Sequence, residues 1–120
     1  MREDILKYVK DKYKSTPEYL WKRFPGYAVF RHKENNKWYG LIMDVPRDKL
    51  GLEGDERVDI INVKLDDPIL ADELVRQKGF FKGYNIRGGN WVSVLLDGTI
   101  PLERICEMID ISFITTGAKK

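Results

Sequence analysis

Three stretches constrain this chain more than any others: "NNKWYGLIMD" (35–44), "RVDIINVKL" (57–65) and "GGNWVSVLLD" (88–97). Each is rich in aliphatic, β-branched or aromatic residues, each is bounded by turn-forming residues, and each has the length of a strand. In the middle run Ile61, Val63 and Leu65 fall on one face and Asn62 and Lys64 on the other, the period-2 pattern of a half-buried strand. Such strands bury their apolar faces only by pairing into a sheet and packing against another layer. The first and third runs also echo each other. Both place a turn and a polar residue before Trp, then two variable residues, three aliphatic or Met residues, and Asp, so that Trp38 and Asp44 correspond to Trp91 and Asp97. Strands that leave a turn and enter a core produce this pattern without any duplication.

Helical periodicity occupies the spaces between and beyond the strands. Ile5, Leu6, Val9 and Tyr13 predict a helix over 3–14, broken at Ser15-Thr16-Pro17. "EYLWKRF" reads equally as a short helix or a strand, and Pro25-Gly26 as a turn. "YAVFRHK" (27–33) predicts a strand that pairs with the run after "ENN", whose asparagines tolerate positive φ. "PRDKLGLEGDE" is a loop. Asp67-Pro68 opens a second helix with Leu70, Ala71, Leu74 and Val75 inward, and Gly79 is placed to end it. "YNIRGGNWVSVLL" predicts a second hairpin, with Gly88 or Gly89 at positive φ and Arg87 at its tip. Asp97-Gly98 makes a turn. Pro101 opens a last helix with Leu102, Ile105, Cys106, Ile109 and Phe113 inward, and "TTGAKK" reads as a frayed tail. This order predicts one α+β domain over 1–120, an antiparallel sheet with helices packed on one face and two projecting β-hairpins.

Composition narrows the function classes. The chain has 120 residues, 42% apolar and 33% charged, which is a soluble globular balance rather than a disordered one. No stretch approaches the ~18 apolar residues of a membrane span, and "MREDILKYVK" is an amphipathic segment rather than a secretory leader. A single Cys excludes an internal disulfide and points to a cytoplasmic setting. With one His and one Cys, no metal and no cofactor are expected.

Catalytic candidates fare poorly. Cys106 sits on the apolar stripe of the last helix without a base, as a core cysteine does. His32 lies between Arg31 and Lys33 and reads as a surface residue. Asp44, Asp48, Glu53, Asp55 and Glu56 miss calcium-loop spacing and read as a solvated loop. "RGGNW" lacks the lysine and helix of a phosphate loop, and "KGYNI" opens like an RNA-recognition signature but fails its downstream aromatic spacing. The expectation is a protein that is not an enzyme.

Charge distribution is more informative than the net charge of +2. Residues 22–43 carry +4, from Lys22, Arg23, Arg31, Lys33 and Lys37 against Glu34. Residues 78–96 carry +3, from Lys78, Lys82 and Arg87 with no acid. The predicted hairpin tips therefore present Lys33, Asn35, Asn36 and Lys37 on one side and Asn85, Arg87 and Asn90 on the other. Such groups reach phosphates and base edges. Trp38 and Trp91 serve either as stacking platforms or, more ordinarily, as packing on the sheet. The candidate nucleic-acid contacts are Arg31, Lys33, Asn36, Lys37, Lys82, Asn85 and Arg87. The alternative is a protein-interaction module that uses an exposed sheet face or edge.

From "YLWKRFPGYAVFRHKENNKWYGLIMDVPRDKLGL" through "VDIINVKLDDP" and "GFFKGYNIRGGNWVSVLLDG" to the last helix, the chain resembles the MmcQ/YjbR family of small bacterial proteins. The segment Gly79 to Trp91 is similar to that family's Pro-Ala-Tyr-His-Met-Asn-Lys-x-His-Trp pattern. Tyr84 and Trp91 match it. Asn85 stands in place of His, Ile86 of Met, Arg87-Gly88 of Asn-Lys, and Asn90 of the second His. The resemblance implies a fold of the CyaY and secretion-chaperone type, and DNA binding through a double wing. The expected partner is DNA or, in the alternative reading, a protein, with no membrane association, and the chain is expected to be a monomer.

Overall fold

The computed structural model describes residues 1–88 and 90–117. The element order is α1 (Arg2–Tyr13), β1 (Ala28–Arg31), β2 (Trp38–Pro46), a 3-10 turn (Arg47–Leu50), β3 (Arg57–Leu65), α2 (Pro68–Leu74), β4 (Phe80–Lys82), β5 (Asn90–Leu95) and α3 (Leu102–Thr116). The strands form one sheet in the order β1-β2-β3-β5-β4, with every pairing antiparallel. This is the α+β architecture expected from the alternation of strand and helix signals.

All three helices lie against one sheet face. Ile5 and Val9 of α1, Ala71 and Leu74 of α2, and Ile105, Met108 and Ile109 of α3 meet Phe30, Tyr39, Ile42, Ile61, Val63, Val92 and Val94 in the main core. Asp67 caps α2 by accepting from the Ile69 N–H at 2.9 Å, with Pro68 at its first position. That helix stops at Leu74; Gly79, at φ +91°, instead turns the chain into β4. α1 is tied to α3 through Asp110, which accepts from Tyr8 at 2.8 Å and pairs with Lys12 at 3.0 Å.

The opposite face carries no helix, yet it is buried. Val29, Leu41, Met43, Val45, Ile60 and Leu95 are covered by the 3-10 turn and by irregular chain, which bring Leu50 and then Trp21, Leu52 and Tyr84 over them. The ambiguous "EYLWKRF" is neither helix nor strand. It bridges the edge of β1 only at Glu18–Val29 and then turns over the sheet. Asn62, read as the polar side of a half-buried strand, is therefore fully enclosed.

The second hairpin differs from the sequence reading. Its outer strand is Phe80–Lys82, not "YNI", and residues 83–88 form the described part of the connection to β5. Gly88 takes φ +82° as expected, while Gly89 lies outside the described residues. The connection does not swing free. Asn62 Nδ2 donates to the Tyr84 carbonyl at 3.2 Å, the Tyr84 N–H donates to Ser93 Oγ at 2.9 Å, and Ser93 Oγ donates to Asn62 Oδ1. In α3 the fully buried polar groups are Ser112 and Thr116, and Cys106 and Phe113 are only half-buried. Of the predicted frayed tail, Thr115 and Thr116 are helical, and Ala118 to Lys120 lie outside the described residues.

Candidate nucleic-acid interface

The site begins with a defect in the sheet. β1 and β2 pair regularly as far as Phe30↔Gly40; the next pair is Arg31↔Trp38, which leaves Tyr39 as a bulge. The extra residue reverses the side-chain alternation. Tyr39 points into the helix-side core, where Phe113 and His32 meet it at 4.9 and 5.1 Å between ring centres. Trp38 points to the other face, edge-on to Trp21 at 5.8 Å.

The bulge also parts β2 from β3. Their ladder ends at Leu41↔Asn62, although β3 continues to Leu65 beside β5. At the next bonded register Ser112 of α3 enters between the strands. Its hydroxyl accepts from the Lys64 N–H at 2.8 Å and donates to the Tyr39 carbonyl at 2.7 Å. The two hairpins splay from this point.

The β1–β2 tip is fastened to the end of α3. His32 Nε2 lies 2.8 Å from Thr116 Oγ1, and Asn35 Nδ2 donates to the Thr116 carbonyl at 2.9 Å. The Thr116 hydroxyl proton is committed to the Ser112 carbonyl, so His32 Nε2–H is the donor. His32 is thus buried, not a surface residue. Burial holds its pKa below the ordinary 6.5, outweighing the Phe113 carbonyl and Glu34 carboxylate that favour its charged form. A depressed folded pKa means that the unfolded chain takes up the proton first. The destabilisation is absent above pH 6.5 and grows as pH falls toward the folded value. Unfolding free energies from urea titrations between pH 7.5 and 5 are expected to fall for the wild type, with His32 contributing at most ~1.4 kcal/mol per pH unit, and to fall less for His32→Gln. Equal slopes in both proteins would contradict this assignment.

The splay leaves a cleft of about 450 Å³, lined by Asn36, Lys37, Trp38, Lys64, Ile86, Arg87, Trp91 and Thr116. A second cleft, of about 320 Å³, adjoins it through Trp38 and Ile86 and runs over Trp21, Phe24, Tyr27, Leu41, Met43 and Asn85. Together they form one groove, basic at the splayed end and aromatic along the sheet. Among the described residues no carboxylate lines it, and Lys37, Lys64 and Arg87 make no ion pair.

This architecture recurs in solved structures. A crystal structure of a Pseudomonas syringae protein superimposes with a TM-score of 0.92 at 39% identity, covering 98% of this chain and 99% of that one. A Deinococcus radiodurans protein with the DUF419 domain shares the fold at a TM-score of 0.70 and 20% identity, covering 96% of this chain and 77% of its own. Residues 10–115 match the YjbR family. The chain belongs to the YjbR family. It is also 44% identical over 112 residues to the uncharacterized protein YyaQ of Bacillus subtilis (strain 168), covering 93% of this chain and 94% of that one.

Within this YjbR fold the sequence-derived candidates divide. Asn36, Lys37 and Arg87 converge on the basic end of the groove, and Asn85, at φ +51°, flanks its aromatic end. Arg31 does not join them. Its Nε stands 2.9 Å from Glu18 Oε2, at ion-pair distance but without hydrogen-bond alignment, and it lies with Lys33 on a depression beside His32 and Ser15. Lys82 is exposed on β4 and lines neither cleft. Lys64 went unrecognised because it reads as the solvent side of a strand. Only the β3–β5 register, which sets it opposite Trp91, brings it to the cleft, and no local sequence signal announces that pairing.

Two acids of the sequence reading have structural partners. Asp44 accepts from Arg57 at 2.7 Å, and Asp97 accepts from the Thr99 N–H at 3.0 Å to close its turn. The two ends of the sequence echo thus perform different tasks. Burial and the Asp110 carboxylate push the Cys106 thiol pKa up, so it is not poised as a nucleophile.

Proposed function

We propose that this chain is a DNA-binding domain of the cytoplasm that works by binding rather than catalysis. One observation carries the reading. Lys37 before β2, Lys64 on β3 and Arg87 in the β4–β5 connection converge on one cleft, with two tryptophans and no described carboxylate. Cations without acidic partners, held by separate elements, are what a phosphate backbone requires. Asn36 adds a hydrogen-bonding group at the rim.

Titration of the full chain with DNA at several salt concentrations tests this. Each neutralised phosphate contributes ~0.7–0.9 to the slope of log affinity against log salt. The triple variant Lys37→Ala, Lys64→Ala, Arg87→Ala should flatten that slope by ~2–3 units. Lys33→Ala and Lys82→Ala, which lie outside the cleft, should bind as wild type does. Salt-independent binding, or a triple variant indistinguishable from wild type, would refute the reading.

A second reading has its own support. Tyr19, Leu20 and Phe24 are exposed at 56%, 48% and 42%, and Phe24 lines the aromatic end of the groove. Exposed apolar side chains favour a protein partner where they form a patch, and a negative DNA titration would promote that alternative.

A further inference from the structure

We propose that the groove takes single-stranded DNA, with unstacked bases against its aromatic half and phosphates on its basic half. This rests on the DNA-binding reading and specifies which form of the polymer is bound.

Three features favour a single strand. The first is the groove's mixed chemistry. Lys37, Lys64 and Arg87 gather at one end, and the half-buried Trp21 and Trp38 lie along the other, with Trp38 and Ile86 common to both. A polymer that alternates an anion with an aromatic plate matches both halves. Single-strand binders combine a cationic track with stacking residues in the same way. A duplex offers phosphates and base edges but hides its base faces, so it would leave the aromatic half uncovered.

The second feature is scale. Clefts of about 450 and 320 Å³ are of the size that admits one or two unstacked bases each.

The third is preorganisation. The Trp38 ring is held edge-on by Trp21, at 89° between planes. The connection that carries Ile86 and Arg87 is pinned at Tyr84 by Asn62 and Ser93. The tip that carries Lys37 is closed by the His32 N–H donating to the Lys37 carbonyl at 2.9 Å and fastened to Thr116 through Asn35. A strand entering the groove therefore meets walls already in place and loses less free energy in ordering them. Charge complementarity decides between occupants. With three cations and no described carboxylate, the groove suits a polyanion better than a neutral apolar peptide.

Fluorescence titration of the full chain with a 12-nucleotide oligothymidylate, the duplex of the same length, and a 12-nucleotide oligouridylate tests the proposal. The expected result is at least tenfold tighter binding of oligothymidylate than of duplex, with quenching of tryptophan emission. Trp38→Leu keeps apolar bulk but removes the stacking face. It should weaken single-strand binding ~5-fold or more, within the range of one lost base–aromatic stack, and leave duplex binding unchanged. Arg87→Ala, an exposed change, supplies an independent loss of single-strand affinity if Trp38→Leu folds poorly. Duplex binding as tight as single-strand binding would overturn this proposal and leave the DNA reading intact. Binding of neither DNA would overturn both. Preference for oligouridylate would overturn the assignment to DNA.

Discussion

Replacing Ser112 by Ala is expected to destabilise the protein by about 2–4 kcal/mol, because each buried backbone group left without a partner costs about 1–3 kcal/mol. Ser112 is fully buried, and its one hydroxyl serves the Lys64 N–H and the Tyr39 carbonyl together. These two groups stand where the β2–β3 ladder would make its next direct bond, two residues beyond the Leu41↔Asn62 pair. The substitution therefore has two structural outcomes. Either both groups stay apart and unsatisfied, or the strands close and pair directly. Closure is opposed by the Tyr39 bulge, which places that side chain among Phe113, His32 and Tyr13 in the main core. Urea denaturation measures the loss. A change below ~1 kcal/mol, accompanied by a direct Tyr39–Lys64 bond, would show that Ser112 fills the splay rather than maintains it. Closure would also narrow the cleft between Lys37 and Lys64, so on the proposed DNA-binding reading affinity for DNA would fall in parallel.

The legibility of this fold in its sequence follows the range of the interactions involved. β3 is read over its full span because alternation, Gly-rich loop and Asp-Pro cap all act within a few residues of one another. α1 and α3 are read for the same reason, through local periodicity and a terminating break or opening proline. What escapes is set by contacts distant in sequence. His32 is covered by Thr116 and Phe113, 84 and 81 positions away, and nothing next to His32 announces them. β4 has three residues, too few to show a period, whereas "YNI" a little further on imitates an alternating strand. The Tyr39 bulge inverts an alternation that is otherwise regular, so a period-2 reading puts Trp38 and Tyr39 on the wrong faces. The candidate site is half legible. Residues at turns, Asn36, Lys37, Asn85 and Arg87, are recognised because tips are where polar side chains need a reason. Lys64 and the Trp21–Tyr27 wall depend on the splay and on loops folding over the sheet, which no local pattern encodes.

Asn62→Ala should lower stability by about 2–4 kcal/mol and, in the remaining folded protein, loosen the connection that carries Ile86 and Arg87. Asn62 lies at the centre of a face without helices, and its amide does the work of a missing strand. It donates to the Tyr84 carbonyl and accepts from Ser93, whose oxygen in turn accepts from the Tyr84 N–H. Both backbone groups of Tyr84 are thereby satisfied by side chains of the sheet. Truncation leaves Ser93 and the Tyr84 carbonyl searching for partners in a buried place. The Tyr84 amide, still bonded to Ser93, should exchange with solvent faster in the variant because its acceptor has lost its own anchor. Denaturant titration and amide exchange at Tyr84 check the two halves of this argument. A loss under ~1 kcal/mol with Tyr84 exchange unchanged would mean that apolar contacts with Met43 and Leu41 hold the connection instead. The functional consequence separates the cases further. If the pinned connection presets Arg87 for a phosphate, Asn62→Ala weakens DNA binding without removing a cation, so affinity falls while the salt slope keeps its wild-type value.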